Sequence, residues 1–507
     1  IIRARAIVFE EPGEPDEALL SEISESVLRD EEHRAQIMES IRAAGDNLLL
    51  LRNTVEDNRL VGVARFRYLA PDELFAVLKK VDLADLVRRH TSGEILLISG
   101  IHVEKEPAIY DAEQLLLAEV IARSFAWKCG YAIFFPYEGV CPKRVSSAIE
   151  RQGFVKAPEF QEDAPLFLVD MHAPLLLMQN LETTLKEPFS SNPRVLKAIY
   201  KAHHDLQRTM TGLYPGQLVL SLSASLIYHR LVDKITTLNG VPREPVEPRI
   251  LGEYMCVPFG KILRGKVIPN TVTKTLHTDK VFDPELKEDA IEAFPYYSPL
   301  SSQIKGIKSF DRPVILVDDL LHRGGRFEAL EPMFKEAGVE IKKVLLGLIS
   351  GYGRDTMATK GVEADSVYFV PNLKFWFVES TLYPFVGGDT VRRDTVQVAG
   401  LTPSINMILP YAVPPLKDCS SDSLFEFSAC CIRNARDIML VLEAEYRDLF
   451  ARNLTLSRLS EAVILPLCPD KGDCVSYDPN LAASVYLEND LQMLYRTKKA
   501  AGHEHDR

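Results

Sequence analysis

The chain has 507 residues, 46% of them hydrophobic and 26% charged, a composition suited to a soluble globular protein of about two to four domains. Its formal net charge of −12 excludes the basic excess that general nucleic-acid binding needs. No apolar run approaches the ~18 residues of a membrane span, so neither nucleic acid nor membrane is an expected partner.

The eight cysteines are scattered, which argues against a secreted disulfide framework and for the cytoplasm. Cys468 and Cys474 frame "CPDKGDC", but no further thiol or imidazole set completes a zinc site. The chain starts Ile1-Ile2 rather than Met, which predicts a fragment or a processed chain.

In chain order, "RARAIVFE" predicts a strand, 16–44 one or two charged helices, and "NLLLLRN" and "RLVGVARFRYL" two further strands. Residues 72–90 read as helical and "EILLISGIHVE" as a buried strand. "AEQLLLAEVIARSFAWKCG" has apolar residues at helical spacing and stops at Gly130. "YAIFFPY", "KRVSSAIERQG" and "APLFLVD" then read strand, helix, strand, closing a first unit at about 1–171. A helical connector is expected over 172–214. A second unit over 215–395 carries strands at 217–222, about 250–257, 313–317, 343–349 and 366–370, with helices at 224–237 and 326–337. That alternation predicts a mainly parallel α/β sheet covered on both faces. From 396 to 507 the strand signal fades into long helices, and the polar tail is expected to fray.

The stretch "PVILVDDLLHRGGRFEAL", 313–330, takes an apolar run straight into Asp318 and Asp319, then His322, Arg323, Gly324, Gly325 and a helix. A parallel strand that opens through glycines into a helix N-terminus offers free N–H groups and a dipole to a phosphate. Carboxylates cannot serve that phosphate, but they accept hydrogen bonds from sugar hydroxyls or sit near Mg²⁺. Together they suit a ribose phosphate at the carboxyl end of a strand. The plainer reading is a solvated strand end before a turn.

"VILVDDLLHRGGR" resembles the signature with which type I phosphoribosyltransferases bind phosphoribosyl pyrophosphate (PRPP). The family usually has Thr or Ser beside the glycines, where this chain has Arg323 and Arg326. "QLVLSLSASLIYHRLVDKI" resembles the family's first strand, pyrophosphate loop and helix, with Ser223, Ala224 and Ser225 at the loop where the family prefers glycine. "CVPFGKILRGKVIPNTVTKTLHTDK" resembles the stretch with the mobile catalytic loop. Its Lys261, Arg264, Lys266, Lys274 and Lys280 either neutralise pyrophosphate or form a solvated loop. "VYFVPNLKFWFVESTLYPFVGGD" resembles the hood over the base, where Phe375, Trp376 or Phe377 stacks on it or packs in the core. The resemblance covers about 195–395.

The order of elements over 1–171 resembles the GNAT acyltransferase fold, a mixed sheet with helices. That family cradles the CoA pyrophosphate in a Gly-rich turn, where this chain has "EKEPAIYDAEQ", and its usual Tyr is Ile149 here. A scaffold or altered-ligand domain is therefore expected in place of CoA binding, with Glu104 and Tyr110 the candidates if it is active.

The resemblances imply PRPP-dependent transfer to a base-like nucleophile. Asp318 and Asp319 would bind the ribose and, through the ligand, Mg²⁺, while Arg323, Gly324, Gly325 and Arg326 would hold the 5′-phosphate. The alternatives are a non-catalytic PRPP- or nucleotide-binding regulator and an acyltransferase. The expected partner is a small phosphoribosyl ligand, and a homodimer stays open.

Overall fold

The computed structural model describes the chain apart from residues 1–6, 30, 32, 44, 79, 80, 82–84, 86–92, 106–108, 137–140, 158–165, 249, 296, 394–397, 473–475, 506 and 507. It is a mixed α/β structure. Most of the helix expected over 72–90, and Cys474, lie outside the described residues.

The first strands are β1 (Ile7–Glu10), β2 (Asn47–Asn53), β3 (Arg59–Leu69) and β4 (Ile95–Val103), each antiparallel to the one before. Helix α1 (Ala112–Ser124) leads to β5 (Tyr131–Phe134), which lies parallel to β4. Helix α2 (Lys143–Arg151) and β6 (Val155–Lys156) precede β7 (Phe167–Gln179), which runs antiparallel to β5 and β6. β7 passes straight through the expected boundary at 171, so the connector begins as strand, has short 3₁₀ turns at Leu181–Thr184 and Phe189–Ser191, and is α-helical from α3 (Pro193–Thr211).

The next strand, β8 (Gln217–Ser223), joins this same sheet, parallel to β7. That corrects its expected place among the strands of the second unit. Local pattern cannot distinguish the two sheets: "LVLSL" is buried along its length and fits any position covered on both faces. Helix α4 (Ala224–Leu238) then returns toward the second sheet.

That sheet contains β9 (Met255–Pro258), then, beyond the hairpin β10 (Thr278–Phe282) and β11 (Asp289–Ala293), β12 (Val314–Leu321). Helix α5 (Gly325–Glu336), β13 (Ile341–Ser350) and β14 (Ala364–Val370) follow. The four strands β14-β13-β12-β9 are all parallel. In β12, Val314 and Leu316 pack into one core while Ile315 and Val317 pack into another, which is why the run is apolar without alternation.

β15 (Phe375–Val378) crosses back to the large sheet, beside β7. β16 (Asp389–Val391), β17 (Thr402–Ile405) and, after helix α6 (Ser421–Phe450), β18 (Leu467–Pro469) complete a third sheet of five strands with β10 and β11. Strands β17 and β18 thus lie beyond 396, in the region expected to be mainly helical. The last helix, α7 (Ala483–His505), reaches into the tail expected to fray. In α6 the buried Phe427, Cys431, Ala435, Met439, Leu442 and Tyr446 recur at helical spacing, with Ser420 as N-cap.

Helix α1 is buried on nearly every side, because it lies between the large sheet and the four-stranded one. Within that layer Glu119, 2% exposed, accepts from Tyr368 of β14 at 2.9 Å, from Arg123 at 2.8 Å and from Arg230 of α4 at 3.0 Å. Burial alone would raise the Glu119 carboxyl, but the two guanidinium groups hold it below its ordinary value.

A second buried polar cluster holds α3 to α6. His203 lies 3.0 Å from Glu379, which accepts from Tyr383 at 3.2 Å, and Asn434 donates to that Tyr at 3.1 Å. Burial disfavours the imidazolium, yet Glu379 and Glu182 lift the His203 pKa to about 9. A folded value above the unfolded ~6.5 contributes stability that is complete below that pH and is lost as pH rises through about 9. Melting temperature measured from pH 6 to 10 should fall over that window, and His203→Gln should flatten the fall. An equal fall in the variant would show that His203 is not its source.

Candidate active site

Asp318 and Asp319 lie within β12, two residues before its end, and are only 3% and 8% exposed. They do different things. Arg326, from the first turn of α5, donates to Asp318 Oδ1 at 2.6 Å, and the Asp319 N–H donates to the same oxygen at 2.8 Å. Burial lifts the Asp318 carboxyl to about 6 against the pull of Arg326, and the charge of Asp319 adds to the rise. Asp319 instead accepts the backbone N–H groups of Lys261 at 2.5 Å and Ile262 at 2.8 Å. The close approach needs Gly260, where a Cβ would lie 2.7 Å from Asp318 Oδ1.

Asp319 faces a cavity of about 520 Å³, and Asp318 does not line it. Among the expected phosphate ligands, Lys261, Arg264, Lys266, Ala224 and Ser225 line the same cavity. Arg264 donates to the Thr278 carbonyl at 2.8 Å and lies over the Phe294 ring at 5.1 Å; burial lowers its pKa from the ordinary value. Lys261 Nζ lies 3.8 Å from Asp389.

The other expected residues are placed differently. Ser223 is the N-cap of α4 rather than part of a loop, accepting weakly from the Leu226 N–H at 3.4 Å. Gly324 has φ +84°, a left-handed conformation that suits glycine at the start of α5. Arg323 is exposed beside it, and Gly325 opens the helix. None of these turn residues lines the cavity. Arg326 was expected on phosphate and is spent on Asp318.

The aromatic trio is also apart from the cavity. Phe375 packs on Tyr214 with ring centroids 6.2 Å apart, Phe377 packs on Phe427, and Trp376 points to solvent. Core packing thus takes Phe375 and Phe377. Of the other basic residues, Lys274 lies over the Phe310 ring and Lys280 over the Phe282 ring.

Sequence reasoning missed His277 and Tyr297, which stack at 3.8 Å inside the cavity. It also missed Asp279, which accepts from Thr390, and Asn180, whose side-chain amide pairs with Ser380 at 2.9 and 3.0 Å. No local motif marks them, because they meet only when three sheets come together. His322, noted only as a charge, has a ring nitrogen, Nδ1, buried without a hydrogen-bond partner.

In the N-terminal unit, Asp111 at the start of α1 is held by Arg151 at 2.8 Å and by His204 at 2.8 Å. Tyr110 stacks on Tyr200 at 3.9 Å, and Glu104 pairs with Arg59. Both acyl-transfer candidates are therefore engaged in internal contacts.

No family model matches the chain. Solved acetyltransferases resemble part of it. Arylalkylamine N-acetyltransferase 7 of the yellow fever mosquito is 12% identical, over 32% of this chain and 87% of its own, with a TM-score of 0.24. NAA60 of Arabidopsis thaliana is 14% identical, over 32% of this chain and 98% of its own, with a TM-score of 0.23. Among curated proteins, a hypoxanthine/guanine phosphoribosyltransferase of Methanotorris igneus is 28% identical over 141 residues, 26% of this chain and 76% of the relative. That of Methanocaldococcus infernus is 33% identical over 150 residues, 26% of this chain and 79% of the relative. With 33% identity over 79% of a curated relative, the chain belongs to the phosphoribosyltransferase family.

Proposed function

We propose that the chain transfers the phosphoribosyl group of PRPP to a base-like nucleophile in nucleotide or nucleoside-like metabolism. The observation that carries this is the placement of Asp319 in one cavity with Lys261, Arg264 and Lys266. Each carboxylate oxygen of Asp319 accepts one backbone N–H and keeps a lone pair for a ribose hydroxyl. As the bond from C1′ to pyrophosphate breaks, positive charge develops on the sugar and negative charge on the leaving group. Asp319 would stabilise the first, and the three cations the second. The new bond forms from C1′ to the acceptor, which then loses a proton.

Both oxygens of Asp319 and one of Asp318 are already engaged by protein donors, so these acids fit a metal held through the ligand rather than directly. Mg²⁺ would neutralise the pyrophosphate charge there. CoA is no part of the proposal, since the first turn of α1 carries Asp111 and Glu113, whose charges oppose a phosphate.

The test is pyrophosphate release from PRPP and Mg²⁺ over a panel of bases, with Asp319→Asn expected to lower the rate at least tenfold. The engagement of Asp318 by Arg326 supports a second reading, a regulator that binds PRPP without turning it over. PRPP binding with no pyrophosphate release from any acceptor would favour it. The same ion pair gives a further prediction. Arg326→Thr removes the group that holds Asp318 beside Asp319 and should change PRPP affinity by a factor of ten or so, about 1.4 kcal/mol. Unchanged affinity by calorimetry would mean that the α5 turn does not touch the ligand.

A further inference from the structure

The cavity has two kinds of wall. Its charged lining residues, Lys261, Arg264, Lys266, Asp279 and Asp319, all come from the 261–279 stretch and β12. The described lining residues from 178–184, 378–390 and 464–467 carry no charge. On that second side, the C-terminal region contributes Ile464, Leu465 and Leu467. Ile464 and Leu465 are 46% and 42% exposed, so two large apolar side chains stand in water at the edge of a cavity. Such a pair is costly alone and useful when a ligand covers it.

The lip is held in place. The Ile464 N–H donates to the Thr184 carbonyl at 2.8 Å, the Lys186 N–H to the Ala462 carbonyl at 2.8 Å, and Val463 forms a bridge with Leu185. Just beyond, β18 pairs with β17. The polar groups nearby are largely spent. Thr183 and Thr184 each donate their hydroxyl to a backbone carbonyl at 2.7 Å, and Asn180 is paired with Ser380. An anionic acceptor on this side would lose its water and meet no cation and few free donors.

We infer that Ile464 and Leu465 select the acceptor: they take an uncharged molecule that lays an apolar face on the lip, and so give the C-terminal region a direct part in specificity. This rests on the phosphoribosyl reading, with PRPP held on the charged side.

The experiment uses the full chain, wild type and Ile464→Ser with Leu465→Ser. Both side chains are exposed, so the unliganded melting temperature should hold. PRPP and Mg²⁺ are first tested by thermal shift. Pyrophosphate release is then measured with uncharged acceptors (hypoxanthine, adenine, nicotinamide) and carboxylates (orotate, nicotinate). The expected result is turnover of an uncharged acceptor, with KM raised about tenfold in the double variant and the PRPP shift unchanged. A preferred carboxylate acceptor overturns the inference, as does an unchanged KM. No turnover of any acceptor despite a clear PRPP shift also overturns it, and leaves PRPP binding standing. No PRPP shift at all sinks the phosphoribosyl reading, and the lip with it.

Discussion

PRPP with Mg²⁺, at ~100 times its Kd, is expected to raise the melting temperature of the wild-type chain by several degrees. Linkage at that ratio gives about 2.7 kcal/mol. For a unit of about 200 residues each kcal/mol moves the midpoint by roughly 2–4 °C. The shift belongs to the transition in which the cavity is lost, and a chain this long need not melt in one step. Asp319→Asn keeps the shape and removes the charge, so it should abolish most of the shift. Asp318→Asn should cost less, because that carboxylate faces Arg326 and not the cavity. The contrast between neighbours separates a ligand effect from general loss of charge. If wild type shows no shift at millimolar PRPP, or Asp319→Asn shifts equally, the acid pair is only a structural part of β12.

The second large effect is expected far from that cavity. Glu119→Ala leaves Arg123 and Arg230 facing each other across the layer between two sheets, and leaves the Tyr368 hydroxyl without its acceptor. Removing one partner of a buried ion pair costs about 3–5 kcal/mol. The two Arg side chains are 31% and 24% exposed, so water relieves part of their cost and the low end of that range is expected. The corresponding fall in melting temperature is roughly 6–12 °C. The pH dependence has a definite sign. The Glu119 carboxyl titrates below its unfolded value, so its contribution is complete above about pH 5 and is lost as pH falls through the folded value. A drop under about 2 °C for Glu119→Ala would show that apolar packing alone joins the sheets.

How much could be read from the sequence follows from what each signal depends on. β12 was legible because burial on both faces makes an apolar run, and the Asp318–Asp319 pair, which the structure keeps within the strand, has few structural uses. Lys261, Arg264 and Lys266 were legible as a cationic stretch, and the fold brings all three to one cavity. Division of labour between the two acids was not legible, because it depends on where Arg326 points after α5 turns. The sheet to which β8 belongs was not legible either, since burial sets the composition of a strand and not its neighbour. Phe375, Trp376 and Phe377 stayed ambiguous for a related reason: an aromatic run serves a core as well as a stacking surface, and β15 alternates Phe375 and Phe377 inward and Trp376 outward. Ile464 and Leu465 carried no signal at all, being two apolar residues in a region read as helical.

The cavity draws its lining from residues as early as Met178 and as late as Leu467. Synthesis proceeds at about 5–20 residues per second, so the interval between those two residues leaving the ribosome is on the order of 15–60 seconds. During it the apolar surface of β7 and β8, and later Arg264 and Asp319, exist without the last lining segment, Ile464, Leu465 and Leu467. A nascent chain therefore has no finished site with which to capture a ligand, and small molecules cannot assist the early steps of its folding. Their stabilising effect begins only once the last wall is in place, so until then the chain depends on contacts of its own, the Glu119 network among them once Tyr368 is made.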